Sequence, residues 1–248
     1  MNQILISEKL YVTPELKKKK KIFKFEFIIS VIALISLVSY AVYAEYDRNK
    51  SEQVSKEILA NIDIPEPVTP KEKVMIIILN EALEDNEEPE EPVEEVAPPT
   101  VVEDNTPQDP QGYVASDGTE YYTIGTVNIP SINVYYPILS TTTTELLKIS
   151  PCKFWGPDPN EVGNFCIVGH NYKNSKFFSK VPNLENGDII EITDLSGRTI
   201  NYIVYDKYIV DPENVECTSQ KTNGRKEITL ITCTNDSSQR YIIKAKEM

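Results

Sequence analysis

Histidine is almost missing from this 248-residue chain: His170 is the only one, and cysteine occurs four times, as Cys152, Cys166, Cys217 and Cys233. One imidazole and four scattered thiols do not give zinc-ligand spacing, so no metal centre is expected. There is no glycine loop of the kind that cradles phosphate and no Gly-x-Ser-x-Gly turn, and no cofactor is expected. Positive charge is in short supply. Against 38 Asp and Glu stand 25 Lys and Arg, a net charge of −13, which argues against general nucleic-acid binding.

The charge that is present is unevenly spread. Phe27 to Ala44 form 18 residues without a single charge. A helix of that length covers about 27 Å, close to the hydrocarbon core of a bilayer. Lys17 to Lys21 and Lys24 precede it; Glu45 and Asp47 follow. The positive-inside rule then puts the N-terminus in the cytoplasm and everything after Glu45 outside, as a single-pass protein of the cell membrane. A cleaved signal peptide is the competing reading, with Ala41-Val42-Tyr43-Ala44 as a weak small-x-small site. A buried core helix fits poorly beside a lysine cluster.

The expected organisation is a cytoplasmic tail over 1–21, a transmembrane anchor over 22–44, an extracellular stalk and acidic Pro-rich linker over 45–111, and a folded domain over 112–248. Within the stalk, Val54, Ile58 and Ile62 recur at i, i+4 and i+8, a narrow apolar stripe on a charged helix. Ile64-Pro65-Glu66-Pro67 breaks it. Val74 to Leu79 is an apolar cluster that suits a short helix or a β-segment equally. From Glu84 to Asp104 there are ten acidic residues, no basic one and several prolines. Such a segment cannot bury enough apolar surface to order itself, and is expected to be an extended, disordered spacer.

Beyond it the apolar runs are short, β-rich and punctuated by turn residues. Tyr121–Ile129, Ile132–Tyr136, Asn164–Gly169, Asp188–Thr193, Thr199–Val210, Glu227–Thr234 and Tyr241–Ala245 are expected as strands. Thr141–Ser150 suggests a short helix, Ser175–Lys180 a helical turn, and Cys152–Gly163 a loop. The domain is therefore expected to be mainly β, a closed or nearly closed barrel with short helices.

The last two strands carry the chemistry. Cys233 ends one and Arg240 opens the next, with a polar run between them. In an antiparallel hairpin the two are opposed and share a face. A thiol beside a fixed cation ionises more easily. His170 follows Gly169 at the end of an apolar strand, exposed on a fixed backbone, where imidazole can carry protons. Cys233, His170 and Arg240 are the candidate catalytic residues. All four cysteines are expected as thiols; a Cys152–Cys166 bridge is the main alternative.

Thr229-Leu230-Ile231-Thr232-Cys233 matches the Thr-Leu-x-Thr-Cys signature of the sortases. Ile124 to Pro130 near the domain start, Val168-Gly169-His170 in the middle and Arg240 in the last strand fit the same family in the same order, so that residues 121–248 resemble a sortase catalytic domain. The resemblance implies an eight-stranded β-barrel with Cys233, His170 and Arg240 at one end. It implies a thiol-dependent transpeptidase of Gram-positive surfaces that cleaves a Leu-Pro-x-Thr-Gly-like sorting signal through a thioacyl-enzyme. The implied partners are surface proteins with a C-terminal sorting signal, and a peptidoglycan-precursor or pilin amine as acceptor. The six residues between Cys233 and Arg240, and the compact segment 211–226, leave the subclass open. Two other readings compete: a cell-surface binding module whose thiol is structural, and a cysteine peptidase that releases its product to water.

Overall fold

The computed structural model describes residues 14–65, 109–116 and 118–248. The acidic stretch 84–104 and the apolar cluster 74–79 lie outside the described residues. The chain divides into two compact units, one ending at Gln53 and the other running from Val54 to Met248.

Helix α1 spans Pro14–Asn61. It contains the uncharged stretch, whose best 18-residue window has a mean hydropathy of 2.3 and none of its surface buried. Phe27, Leu37 and Tyr40 all face outward. A helix of this length with apolar sides on every face fits a single membrane anchor. The expected break comes on cue: Ile62 still bonds to the Ile58 carbonyl at 3.0 Å, but Pro65 disfavours the helical region for the residue before it, and α1 ends at Asn61.

The second unit is a β-barrel. Its strands are β1 Gln111–Val114, β2 Glu120–Ile129, β3 Val134–Leu139, β4 Cys152–Trp155, β5 Gly163–Val168, β6 Ile189–Asp194, β7 Thr199–Val210, β8 Lys226–Cys233 and β9 Arg240–Glu247, with a one-turn helix α2 at Leu146–Ile149. The order β2-β3-β4-β5-β8-β9-β7-β6 returns to β2 through the β2–β6 pairing, so eight strands close and β1 lies outside them on β2. Gly125 marks the closure. The β2 register shifts between Thr123 and Gly125, where β2 leaves β1 and takes up β6. Gly125 has φ +151°, and a Cβ there would stand 2.3 Å from the Thr193 carbonyl oxygen. Only glycine permits both that conformation and that approach.

Alternation sorts the strands into two faces. Phe165 and Ile167 of β5, Ile228 and Leu230 of β8, and Ile243 and Ala245 of β9 fill the barrel interior. Their neighbours Cys166 and Val168, Ile231, and Ile242 face the other way and pack with Tyr208, Val210 and Cys217. A third cluster carries the stalk stripe: Val54 and Ile58 are buried with Ala115, Tyr121, Leu139 and Cys152, with Ile62, Leu146 and Leu147 packed around them. Ser55 Oγ donates to Ser150 Oγ at 3.1 Å, and Ser150 Oγ donates to the Pro137 carbonyl at 2.6 Å. The narrow stripe read from the sequence is thus covered by the barrel wall.

Two local expectations differ from what is observed. Cys152–Gly163 was expected as loop, yet its first four residues form β4, pairing with β5 across a register shift between Lys153 and Trp155. Four residues interrupted by a bulge leave no period-two pattern to read. Ser175–Lys180 is not a helical turn: Phe177 takes φ +49° and bridges to Asn171, and a 3-10 turn comes only at Val181–Asn183. Phe177 and Phe178 are buried in the barrel core, and that burial overrides the local preference.

Candidate active site

Strands β5 and β8 are parallel neighbours, with Val168 level with Ile231. β9 runs antiparallel to β8, with Cys233 opposite Arg240. The end of β5, the end of β8 and the start of β9 therefore lie at one end of the barrel. His170 is two residues beyond Val168, Cys233 two beyond Ile231, and Arg240 two before Ile242. Cys233 and Arg240 continue the alternation of the outward-facing apolar cluster and share its face, beyond the strip formed by Val168, Ile231, Ile242, Tyr208 and Val210, while His170 follows β5 after the strand has ended. The structure thus brings all three expected residues to one end of the barrel, Cys233 and Arg240 facing each other across β8 and β9 and His170 just beyond the end of β5.

Thr234 N bonds to the Gln239 carbonyl at 3.0 Å. That makes Thr234 and Gln239 a hydrogen-bonded pair, so Cys233 and Arg240 form the non-hydrogen-bonded kind, in which side chains approach more closely. The guanidinium is aimed by its own loop: Arg240 Nη1 donates to the carbonyls of Gln239 at 3.0 Å and Ser237 at 3.3 Å. The loop is braced from inside by Asp236, which accepts from Thr234 Oγ1 at 2.6 Å, from Ser238 N at 3.1 Å and from Ser238 Oγ at 2.8 Å. Those bonds, the one from Thr234 foremost, hold the Asp236 carboxyl down at about 2.

His170 stands on a backbone that cannot shift freely. Gly169 before it is buried, and a Cβ there would meet the Phe178 ring at 2.6 Å. Gly169 N bonds to the Ile231 carbonyl at 3.1 Å, and Phe178 N to the His170 carbonyl at 3.1 Å. The imidazole lies against the Tyr172 ring with centroids 5.0 Å apart, and Tyr172 meets Phe177 edge-on at 5.6 Å. Burial, and then the positive charge of Lys148 from α2, lower the His170 pKa from its ordinary value near 6.5. The neutral ring is therefore the favoured form at neutral pH.

The four thiols are not equivalent. All are free. Cys152 and Cys166 belong to separate clusters, which excludes the Cys152–Cys166 bridge. Burial pushes both of them up to about 12 and raises Cys217 as well. Cys233 alone is half-exposed, the condition a thiol must meet to touch a substrate.

Farther along the outward face, away from the rim, the segment joining β7 to β8 is fastened down. The Cys217 carbonyl accepts from Asn164 Nδ2 at 2.9 Å and from Lys244 Nζ at 3.2 Å, and Lys244 also donates to Thr229 Oγ1 at 2.8 Å. Gln220 exchanges two bonds with the Asn164 backbone, each at 2.9 Å. Neither this network nor Lys148 was legible in the sequence, because each joins residues from distant segments without a spacing pattern.

One measurement follows for the electrostatics. Lys148→Gln should raise the His170 pKa, with burial still keeping it below its ordinary value. His170 is the single histidine, so its ring-proton NMR resonance is unambiguous. A depressed imidazole pKa makes no demand on stability above pH 6.5, and destabilises the fold as pH falls below that value, because the unfolded chain takes up the proton more readily. The acid side of the stability curve should therefore be less steep in Lys148→Gln. The shift should shrink with added salt, since Lys148 is exposed. An unmoved resonance would remove Lys148 from the account.

A closed eight-stranded barrel bearing a thiol, an imidazole and a guanidinium on one rim defines a class of proteins. A family model described as a sortase domain matches residues 127–248. Sortase A of Bacillus anthracis is 32% identical over 123 residues, covering 48% of this chain and 57% of that protein, so the chain matches little more than half the length of this curated relative. Residues 127–248 therefore carry a sortase domain. Among solved structures, a Clostridium perfringens sortase D5 transpeptidase shares 32% identity with a TM-score of 0.47, covering 51% of this chain and 79% of that one. Sortase A from Corynebacterium diphtheriae shares 27% identity with a TM-score of 0.48, covering 52% of this chain and 62% of its own.

Proposed function

We propose that this chain is a membrane-anchored cysteine transpeptidase, with Cys233 as nucleophile, His170 as proton carrier and Arg240 as oxyanion partner. The observation that carries this reading is the register: Cys233 opposes Arg240 directly, and His170 lies two residues past the end of the parallel strand beside them. In the first half-reaction Cys233 attacks the Thr–Gly carbonyl of a Leu-Pro-x-Thr-Gly-like sorting signal. The neutral imidazole takes the thiol proton as the S–C bond forms, and returns it to the leaving amine as the C–N bond breaks. Arg240 holds the carbonyl oxygen where negative charge develops. In the second half-reaction an amine attacks the thioester and gives a proton to the imidazole, and the thiolate leaves and is reprotonated. The acceptor is a peptidoglycan-precursor or pilin amine. Helix α1 crosses the membrane once, with the lysine cluster inside and the barrel, as the catalytic domain, outside.

The test uses the full chain in detergent micelles, a panel of short peptides and a primary amine. The expected product is a peptide amide, with a trapped acyl adduct on Cys233 by mass spectrometry and none on the other cysteines. If the amine never competes with water, the chain is a peptidase. If no peptide acylates Cys233, and iodoacetamide labels the four cysteines alike, the thiol is structural and only a surface module is left.

A further inference from the structure

Asn171 occupies the place where β5 and β8 part. The parallel ladder between them reaches Gly169 N and the Ile231 carbonyl, at 3.1 Å. In a parallel pair the next two rungs would run from Cys233 N to the Gly169 carbonyl and from Asn171 N to the Cys233 carbonyl. Side chains stand in for both acceptors' partners. Thr232 Oγ1 donates to the Gly169 carbonyl at 2.8 Å, and Asn171 Nδ2 donates to the Cys233 carbonyl at 2.9 Å. The same Nδ2 donates to Asn235 Oδ1 at 3.2 Å, in the loop whose carbonyls hold Arg240. Asn171 Oδ1 accepts from Lys173 N at 3.0 Å, which fixes the amide in orientation. One carboxamide next to His170 is thus bonded to the backbone of Cys233 and to the loop that aims Arg240.

We propose that Asn171 is a positioning residue that holds the His170 segment against Cys233 and the Arg240 loop after the backbone ladder has ended. The proposal rests on the reading of Cys233 and His170 as a reactive pair. A backbone rung at this point would keep β5 flat against β8. A side-chain rung lets the His170 backbone diverge while the Cys233 carbonyl stays satisfied, which is the combination that allows an imidazole to reach over a neighbouring strand's thiol.

The experiment measures the pH dependence of Cys233 alkylation by iodoacetamide, in the full chain in detergent micelles, for the parent, His170→Ala, Asn171→Ala and Asn171→Ser. Serine keeps an acceptor for the Lys173 amide but is too short to reach the Cys233 carbonyl, so it separates the clamp from the turn. Thermal unfolding of each variant controls for folding, and Asn171→Ser stands in if the alanine variant does not fold. Both Asn171 variants should move the midpoint of the profile toward that of His170→Ala and lower the rate at neutral pH by about tenfold, within the range that small misplacements of reacting groups produce. If the parent profile does not respond to His170→Ala, the reactive-pair reading itself fails. If it does respond, and the Asn171→Ser profile overlays the parent within twofold, Asn171 is only a turn residue and the proposal is overturned.

Discussion

Cys233→Ala should abolish acyl transfer and leave the fold standing. The residue lies at the rim, half-exposed, at the last position of β8. Truncating a partly exposed side chain away from the core changes stability by no more than about 0.5 kcal/mol. No neighbour can replace the sulfur, because Cys166 is sealed with its pKa near 12 and Cys217 is buried as well. Cys166→Ala should behave in the opposite sense. It removes a fully buried atom from the cluster with Ile231 and Ile242, costs roughly 1 kcal/mol, and leaves turnover in place. Arg240→Ala belongs between them, with the loss of about 10²- to 10³-fold in kcat that removing one oxyanion donor brings. Peptide–amine ligation assays and thermal unfolding on the same preparations check all three. Residual turnover in Cys233→Ala, above that of His170→Ala, would refute the covalent route.

The hairpin that carries Cys233 and Arg240 was legible because both strands alternate cleanly and the run between them is polar; the observed register places the two residues opposite each other, as the sequence implied. His170 was legible for a different reason: it is alone, and it ends an apolar run. What holds these residues was not legible. Lys148 acts on the imidazole only through its charge, and Asn171 through an amide whose partner is 62 positions away. Neither has a periodic or compositional signature. β4 was missed because a bulge destroys alternation in a strand of four residues. The Val54, Ile58, Ile62 stripe was visible as a narrow apolar face, but nothing in its own residues names the wall that covers it. Periodicity shows that a face is buried; it does not say against what.

That stripe carries the second large effect. Ile58 is fully buried with Tyr121, Leu139 and Cys152, one turn from Val54 and one from Ile62. Ile58→Ala in the full chain should cost about 2–5 kcal/mol, the range for removing a buried isoleucine to its Cβ. For a folding unit of this size that lowers Tm by roughly 5–15 °C. Ile58→Asp should do at least as much, since a carboxylate there must be buried without a partner or else release the helix. Ala60→Glu, on the exposed side of the same helix, is the control and should leave Tm unchanged. The docked helix also touches Leu146 and Leu147 of α2, the element that presents Lys148 to His170. Undocking should therefore move the His170 resonance toward its position in Lys148→Gln, as well as lowering Tm. A Tm that falls while the resonance stays put would make residues 54–62 a buttress for the barrel wall and nothing more. If both are unmoved, the helix contributes to neither stability nor site, and a fragment beginning at residue 112 should be as stable as the whole.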